Sequence, residues 1–342
     1  MPIAPKPPWP PTSRPHYSAF SGCSSRTADV DGDFPGGNLL LVRIIDSHVH
    51  FWRIGGPGQS WPDAGWPLIY RDFGPAELAA AVSGSRGLTV GTQDSGTLGP
   101  TATAAAAAPI SLEGIVLVQS QPDDRDTDWI LDIARDTPLV QAVVGWADLE
   151  SGAAAARIAA LAGRPKLRGL RPMLQSMQDT GWLLRRELEP AWQAMIQHEL
   201  RLDALIQPRH LPVLLEFARR WPKLPIVIDH GAKPHIAGGE IEPWQARMAE
   251  LSLLPNIYCK LSGLRTEQTA GAPAAQLQPY IQQLVASFPG RLMWGSDWPV
   301  LLHANDSYND WLECARRYAG IQEPARVDSL FRDVAREFYG LP

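Results

Sequence analysis

The chain has 342 residues, of which 45% are hydrophobic and 20% charged, with 13 tryptophans and a formal net charge of −5. That is ample apolar material for a core, and the mild acidity without a basic stripe argues against nucleic acid as a partner. No apolar run is long enough to span a bilayer and no apolar segment follows a basic start, so neither membrane insertion nor export is expected, and three scattered cysteines without a C-x-x-C fit a reducing cytoplasm.

Residues 1–42 open with seven prolines and continue in Ser, Gly and Asp, too little apolar surface to offset ordering entropy, so a disordered extension is expected. Then comes Ile44-Ile45-Asp46-Ser47-His48-Val49-His50. Two β-branched residues lead into a His-x-His pair, and side chains two apart on a strand point the same way, so His48 and His50 converge. Two imidazoles aimed at one point suit a metal or a polarised substrate oxygen, although the pair alone is a weak signal. Residues 55–66 have no period and read as a long loop, with a helix over 76–82 behind Pro75. Residues 83–108 are Gly, Ser, Thr and Ala-rich and read as a low-complexity insertion.

From Gly114 onward strand and helix alternate. Strands are expected over 115–119, 140–149, 167–174, 201–207, 226–230, 257–263 and 291–296. The helices between them fall over 127–136, 152–162, 182–199, 211–221, 243–252 and 277–288, and terminal helices over 307–319 and 324–339. With the strand beginning at Ile44 this makes eight strands in strict alternation, which favours a (β/α)8 barrel over residues 43–342 rather than a doubly wound sheet.

Catalytic groups of such a barrel sit at the C-terminal ends of its strands. Those ends carry His48 and His50, Gln119, Trp146 and Asp148, Arg171, Gln207, Asp229-His230-Gly231, Lys260 and Ser262, and Asp297-Trp298-Pro299. His230 and Asp297 would join the first pair on the barrel axis, giving three imidazoles and one carboxylate, a set suited to a divalent metal or to polarising a carbonyl. No G-x-S-x-G elbow occurs, and His198-Glu199 lacks the second His of a zincin helix. His16, His210, His235 and His303 are expected at the surface or in loops.

Five stretches together carry a resemblance: Asp46-Ser47-His48-Val49-His50-Phe51-Trp52, Leu170-Arg171-Pro172-Met173, Ile228-Asp229-His230-Gly231-Ala232-Lys233-Pro234, Cys259-Lys260-Leu261-Ser262-Gly263-Leu264 and Met293-Trp294-Gly295-Ser296-Asp297-Trp298-Pro299. The chain resembles the amidohydrolase superfamily, and within it the branch of sugar-lactone hydrolases, from about Ile44 to Leu341 apart from the insertion. The resemblance implies that His48, His50, His230 and Asp297 hold a metal or polarise the lactone carbonyl, with Asp297 as the base that takes a proton from water. Many amidohydrolases carry a lysine or acidic ligand on strand four and a second His on strand five; Arg171 and Gln207 stand there instead, which leaves room for one divalent ion at most, zinc foremost. The partner implied is a small-molecule sugar lactone, opened to its aldonic acid.

Arg171 and Lys233 are expected to bind the carbonyl or sugar hydroxyls, and Trp52, Trp146 and Trp298 to offer flat walls. Asp229 reads as a residue that orients a neighbouring ring. Two other readings compete: hydrolysis of an aromatic dicarboxylate lactone or a decarboxylation, for which the strand ends offer few arginines, and a catalytically silent binding barrel.

Overall fold

The computed structural model describes residues 42–56, 58–84 and 110–342. The expected extension over 1–42 and insertion over 83–108 lie outside the described residues, apart from Val42, Ser83 and Gly84. Eight strands form one sheet in the order of the chain: β1 (Val42–Val49), β2 (Ile110–Val118), β3 (Val140–Gly145), β4 (Leu167–Leu170), β5 (Arg201–Ala204), β6 (Ile226–Ile228), β7 (Ile257–Leu261) and β8 (Leu292–Trp294). Every neighbouring pair is parallel. The ring closes where Val49 bridges Trp298, as a (β/α)8 barrel requires.

Helices α1 (Pro75–Ser83), α2 (Asp124–Asp136), α3 (Ala154–Ala162), α4 (Glu189–Gln197), α5 (Leu211–Arg220), α6 (Trp244–Leu251), α7 (Gln278–Ser287) and α8 (Tyr308–Ala319) alternate with the strands, and α9 (Pro324–Asp328) and α10 (Val334–Tyr339) follow. Their sequences say why. Asp123 caps α2 through Arg125 N–H and Ser307 caps α8 through Asp310 N–H, each satisfying an orphan donor of the first turn. On α2 the apolar stripe Ile130, Leu131 and Ala134 faces inward, and each buried Ile or Leu contributes about 1.5–3 kcal/mol. The inside of the barrel is filled by Ile45, Val116, Val118, Ala142, Val144, Val227 and Met293, and α10 lays Phe338 and Tyr339 onto this cluster. Because the Arg201 side chain at the start of β5 donates to the Phe338 carbonyl, α10 plugs the N-terminal end of the barrel and leaves the opposite end for chemistry.

Several elements are shorter or more broken than expected. The strand tails over 146–149, 171–174, 205–207, 229–230, 262–263 and 295–296 leave the sheet, since at the upper rim the backbone turns outward into the loops. The helix expected over 182–199 is two 3₁₀ turns, Trp182–Leu184 and Arg186–Leu188, followed by α4, which starts where Pro190 fits a first turn. The terminal helix over 324–339 is split by a π turn at Ser329–Asp333. β2 begins at Ile110, earlier than expected, because Val42–Ile44 of β1 give residues 110–112 a partner.

Candidate active site

The four residues expected to converge do so around one oxygen. Asp297 Oδ1 lies 3.5 Å from His50 Nε2, 3.8 Å from His48 Nε2 and 4.0 Å from His230 Nε2. The His48 and His50 Nε2 atoms are 3.1 Å apart, so the side chains of a strand and of the residue just beyond its end meet as the alternation requires. Two backbone bonds hold this geometry, His50 N–H to the Trp298 carbonyl at 2.8 Å and Asp297 N–H to the His48 carbonyl at 2.9 Å. The Asp46 carboxylate adds a third stitch, accepting from Ser296 N–H at 2.8 Å and His48 N–H at 3.1 Å. Burial pushes the Asp46 carboxyl up to about 6 despite those bonds.

His230 reaches the cluster by an unusual route. After β6 the backbone takes a left-handed turn through His230, Gly231, Ala232 and Lys233, with φ of 54°, 55°, 62° and 52°. Each non-glycine residue in that conformation costs about 1–2 kcal/mol. The ring is then held by Ser262 Oγ, 2.9 Å from Nδ1. Gly263 makes the space: its φ is +61°, and a Cβ there would stand 2.6 Å from His230 Cγ.

Burial in the barrel mouth lowers the pKa of all three imidazoles, His48 well below its ordinary value and His230 to about 4. Neutral rings are what a metal needs from histidine. For Asp297 burial acts in the opposite sense, but His230, His50 and His48 outweigh it and hold the carboxyl well below the usual carboxylate range. Ligands at zinc distances of 2.0–2.2 Å in a tetrahedron stand about 3.3–3.6 Å apart. The separations here bracket that spacing, and His48, His50 and Asp297 already form one group able to hold an ion, with His48, Asp229 and His230 a second. The residues therefore fit a divalent ion.

Arg171, just past β4, points into this cluster. Its Nη1 lies 3.4 Å from His48 Nε2 and 3.5 Å from Asp229 Oδ2, while Nη2 donates to the Gln119 carbonyl. Lys233 turns toward the β7 loop and pairs with Glu267 at 2.8 Å. Trp52 and Trp298, both expected as walls, are 2% and 1% exposed and meet Phe73, Trp61 and Phe51 in T-shaped contacts behind the histidines. Trp146 is half-buried and tied by its backbone N–H to Thr127 Oγ1. Asp148 is exposed. Gln207 starts a 3₁₀ turn, Pro208–His210, that buries His210 to 2% and binds its ring to Gln207 N–H; His210 is thus not a surface residue.

Beneath the histidines lies a buried ionic group, of which the sequence places Lys260 and Asp229 near strand ends but not Asp203. Lys260, with no exposed surface, places Nζ 2.5 Å from Asp203 Oδ2, 3.1 Å from Asp229 Oδ1 and 3.2 Å from His48 Nδ1. Tyr339 Oη on the α10 plug donates to Asp203 Oδ2 at 2.8 Å. Burial raises the Asp203 carboxyl to about 6, with Lys260 opposing, whereas Lys260 and His48 overcome burial at Asp229 and hold its carboxyl down. The missed signal was a charge in the middle of each short strand, Asp203 in β5 and Lys260 in β7: opposite charges pointing into one barrel must pair.

A parallel barrel with three imidazoles, the Asp297 carboxylate and one guanidinium at its C-terminal mouth defines a hydrolase class, one that polarises a carbonyl and activates water on a rigid rim. The profile of the amidohydrolase family matches residues 45–341. An L-fucono-1,5-lactonase of Burkholderia ambifaria is 43% identical over 290 residues, 83% of this chain and 91% of the relative. Another L-fucono-1,5-lactonase, from Burkholderia multivorans, is 32% identical over 87% of this chain and 96% of the relative. An amidohydrolase from Burkholderia multivorans, solved with bound zinc, superposes with a TM-score of 0.73 at 30% identity, covering 89% of this chain and all of the other. The chain belongs to the amidohydrolase family.

Proposed function

We propose that the protein is a lactonase that opens the ring ester of a neutral sugar acid, an aldonolactone, to the free aldonic acid. The observation that carries this reading is the Asp297 carboxylate among the three imidazoles, with Arg171 against His48, in a chain 43% identical to an L-fucono-1,5-lactonase. Asp297 takes a proton from water, the water oxygen bonds to the lactone carbonyl carbon, and N–H groups of Arg171 meet the developing oxyanion. The ring C–O bond then breaks and Asp297 returns the proton to the leaving alkoxide, so one water is consumed and one hydroxy acid formed. His48, His50, His230 and Asp297 are the residues we assign to one divalent ion, zinc foremost, which when bound supplies Lewis acidity at that point.

Charge pairing supports a neutral substrate. Arg171 already faces Asp229, Lys260 is enclosed by two carboxylates, and Lys233 pairs with Glu267. An aromatic dicarboxylate would need cations without such partners. The test is a pH-indicator assay of purified protein on aldonolactones and on an aromatic dicarboxylate lactone, with and without chelator. Turnover confined to aldonolactones is expected, and no hydrolysis of any of them would return the chain to the silent-barrel reading.

A further inference from the structure

One side chain outside the histidine cluster holds the loop that leaves β1. Gln121 lies three residues beyond β2 and has no exposed surface. Its Oε1 accepts from the Ser60 N–H at 2.9 Å, the Ser60 hydroxyl at 3.2 Å and the Trp61 N–H at 3.2 Å. Its Nε2 donates to the Trp61 carbonyl at 2.5 Å and to Ser120 Oγ at 3.0 Å. The amide thus pairs with Trp61 in both directions, as a neighbouring strand would. Gln121 is itself fixed, because the Asp126 carboxylate in the first turn of α2 accepts from the Ser120 and Gln121 N–H groups at 3.0 and 3.2 Å. Residues 58–66 belong to no helix or strand, so the clamp supplies partners that regular structure would otherwise give.

At its far end the loop carries Trp66, whose ring meets Trp61 at 5.8 Å and the exposed His303 at 4.5 Å. Both contacts lead back to the cluster. Trp61 packs on Trp52, whose ring is 6.5 Å from that of His50. His303 sits on the 3₁₀ turn Val300–Ala304, which opens as Leu301 N–H bonds to the Asp297 carbonyl. Whereas Trp52 and Trp61 are buried, Trp66 is only half-buried, and Leu68 and Tyr70 close by in the chain are 47% and 42% exposed. The rim between β1 and β8 therefore carries an accessible aromatic edge.

We propose that Trp66 is a specificity-determining residue, its indole meeting the C–H face of the lactone ring, and that Gln121 is the positioning residue that fixes it there. The inference rests on the lactonase reading for the identity of the ligand. A loop ordered before the substrate arrives spares the cost of ordering it on binding. The clamp therefore acts on affinity and leaves the chemistry at Asp297 alone.

Gln121→Met keeps the length of the side chain and removes its hydrogen bonds. In aldonolactone hydrolysis KM is expected to rise about tenfold, with kcat within about twofold of the wild type. Trp66→Ala is expected to do the same, and the double variant to be no worse than Trp66→Ala alone, because Gln121 acts through that ring. An unchanged KM in either single variant, a fall in kcat without a rise in KM, or additive effects in the double variant overturns the proposal. If Gln121→Met does not fold, His303→Ala, an exposed position against the same indole, takes its place in the cycle. Hydrogen exchange separates the clamp from the reaction: the Ser60 and Trp61 amides are expected to exchange faster in Gln121→Met, and unchanged exchange overturns the role of Gln121. A chain that shows the faster exchange but opens no aldonolactone sinks the lactonase reading, and with it the ligand of Trp66, while Gln121 stands as the clamp.

Discussion

The two ends of the barrel are built from the same eight strands on opposite principles. At the N-terminal end, α10 adds Phe338 and Tyr339 to the closed apolar cluster that fills the barrel, and the Tyr339 hydroxyl donates to Asp203, which also pairs with Lys260. At the C-terminal end the strands stop early and the chain accepts backbone cost, with left-handed residues at His230, Ala232, Lys233 and Asp297, to bring polar groups together that a core would keep apart. One end is optimised for burial and the other carries the strain that chemistry at a fixed point demands.

Substitutions at the two ends should separate rate from stability. Asp297→Asn is expected to cut lactone hydrolysis by about 10³-fold, within the range that proton transfer contributes, with circular dichroism and melting temperature near the wild type; a variant retaining most of its rate would remove Asp297 from the proposed role. Gly263→Ala is expected to affect both, because the new methyl group displaces the His230 ring and the backbone is strained at φ +61°. We expect a loss of about 1–3 kcal/mol in urea unfolding together with a marked fall in kcat. Phe338→Ala, deep in the plug, should cost about 3–5 kcal/mol while kcat measured well below the melting point changes little; an equal fall in kcat would mean that the two ends are coupled.

The smallest effect concerns acid. His210, remote from the four central residues, has its pKa lowered to about 4 by burial against an unfolded value near 6.5. Between those values the unfolded chain binds the proton and the folded one does not, so stability is present above about 6.5 and lost as pH falls toward 4. His210→Gln should flatten that part of the melting-temperature profile, and an unaltered profile would show that His210 is protonated in the folded state.

The alternation of apolar runs and helical stretches made the barrel legible, because strands buried on both faces leave an unmistakable hydrophobic beat. His48, His50, His230 and Asp297 were legible as polar residues ending those runs. Strand lengths were not, since Leu149, Leu174 and Ile206 stay apolar after the backbone has left the sheet, buried under the loops instead. The tryptophans were ambiguous for a related reason: an indole serves a sugar or a core equally well, and the T-shaped neighbours of Trp52 and Trp298 became visible only in the fold. Asp203 and Lys260 stood in plain view, but a pairing between residues 57 positions apart appears only once the ring has closed.

The seam between β1 and the end of β8 has a consequence in time. Asp46 and Ser296, which share a hydrogen bond there, are 250 residues apart in the chain, so the stitch that aligns His48 with Asp297 is among the most remote contacts the polypeptide makes and among the slowest to be gained. During synthesis a nascent chain ending before Leu292 holds every histidine of the cluster yet lacks both the carboxylate and the strand that closes the ring. Activity should therefore switch on as a single late event, and moving the chain ends by circular permutation, for instance into the exposed Ser151–Gly152 turn, would change when the site is born without changing what it is.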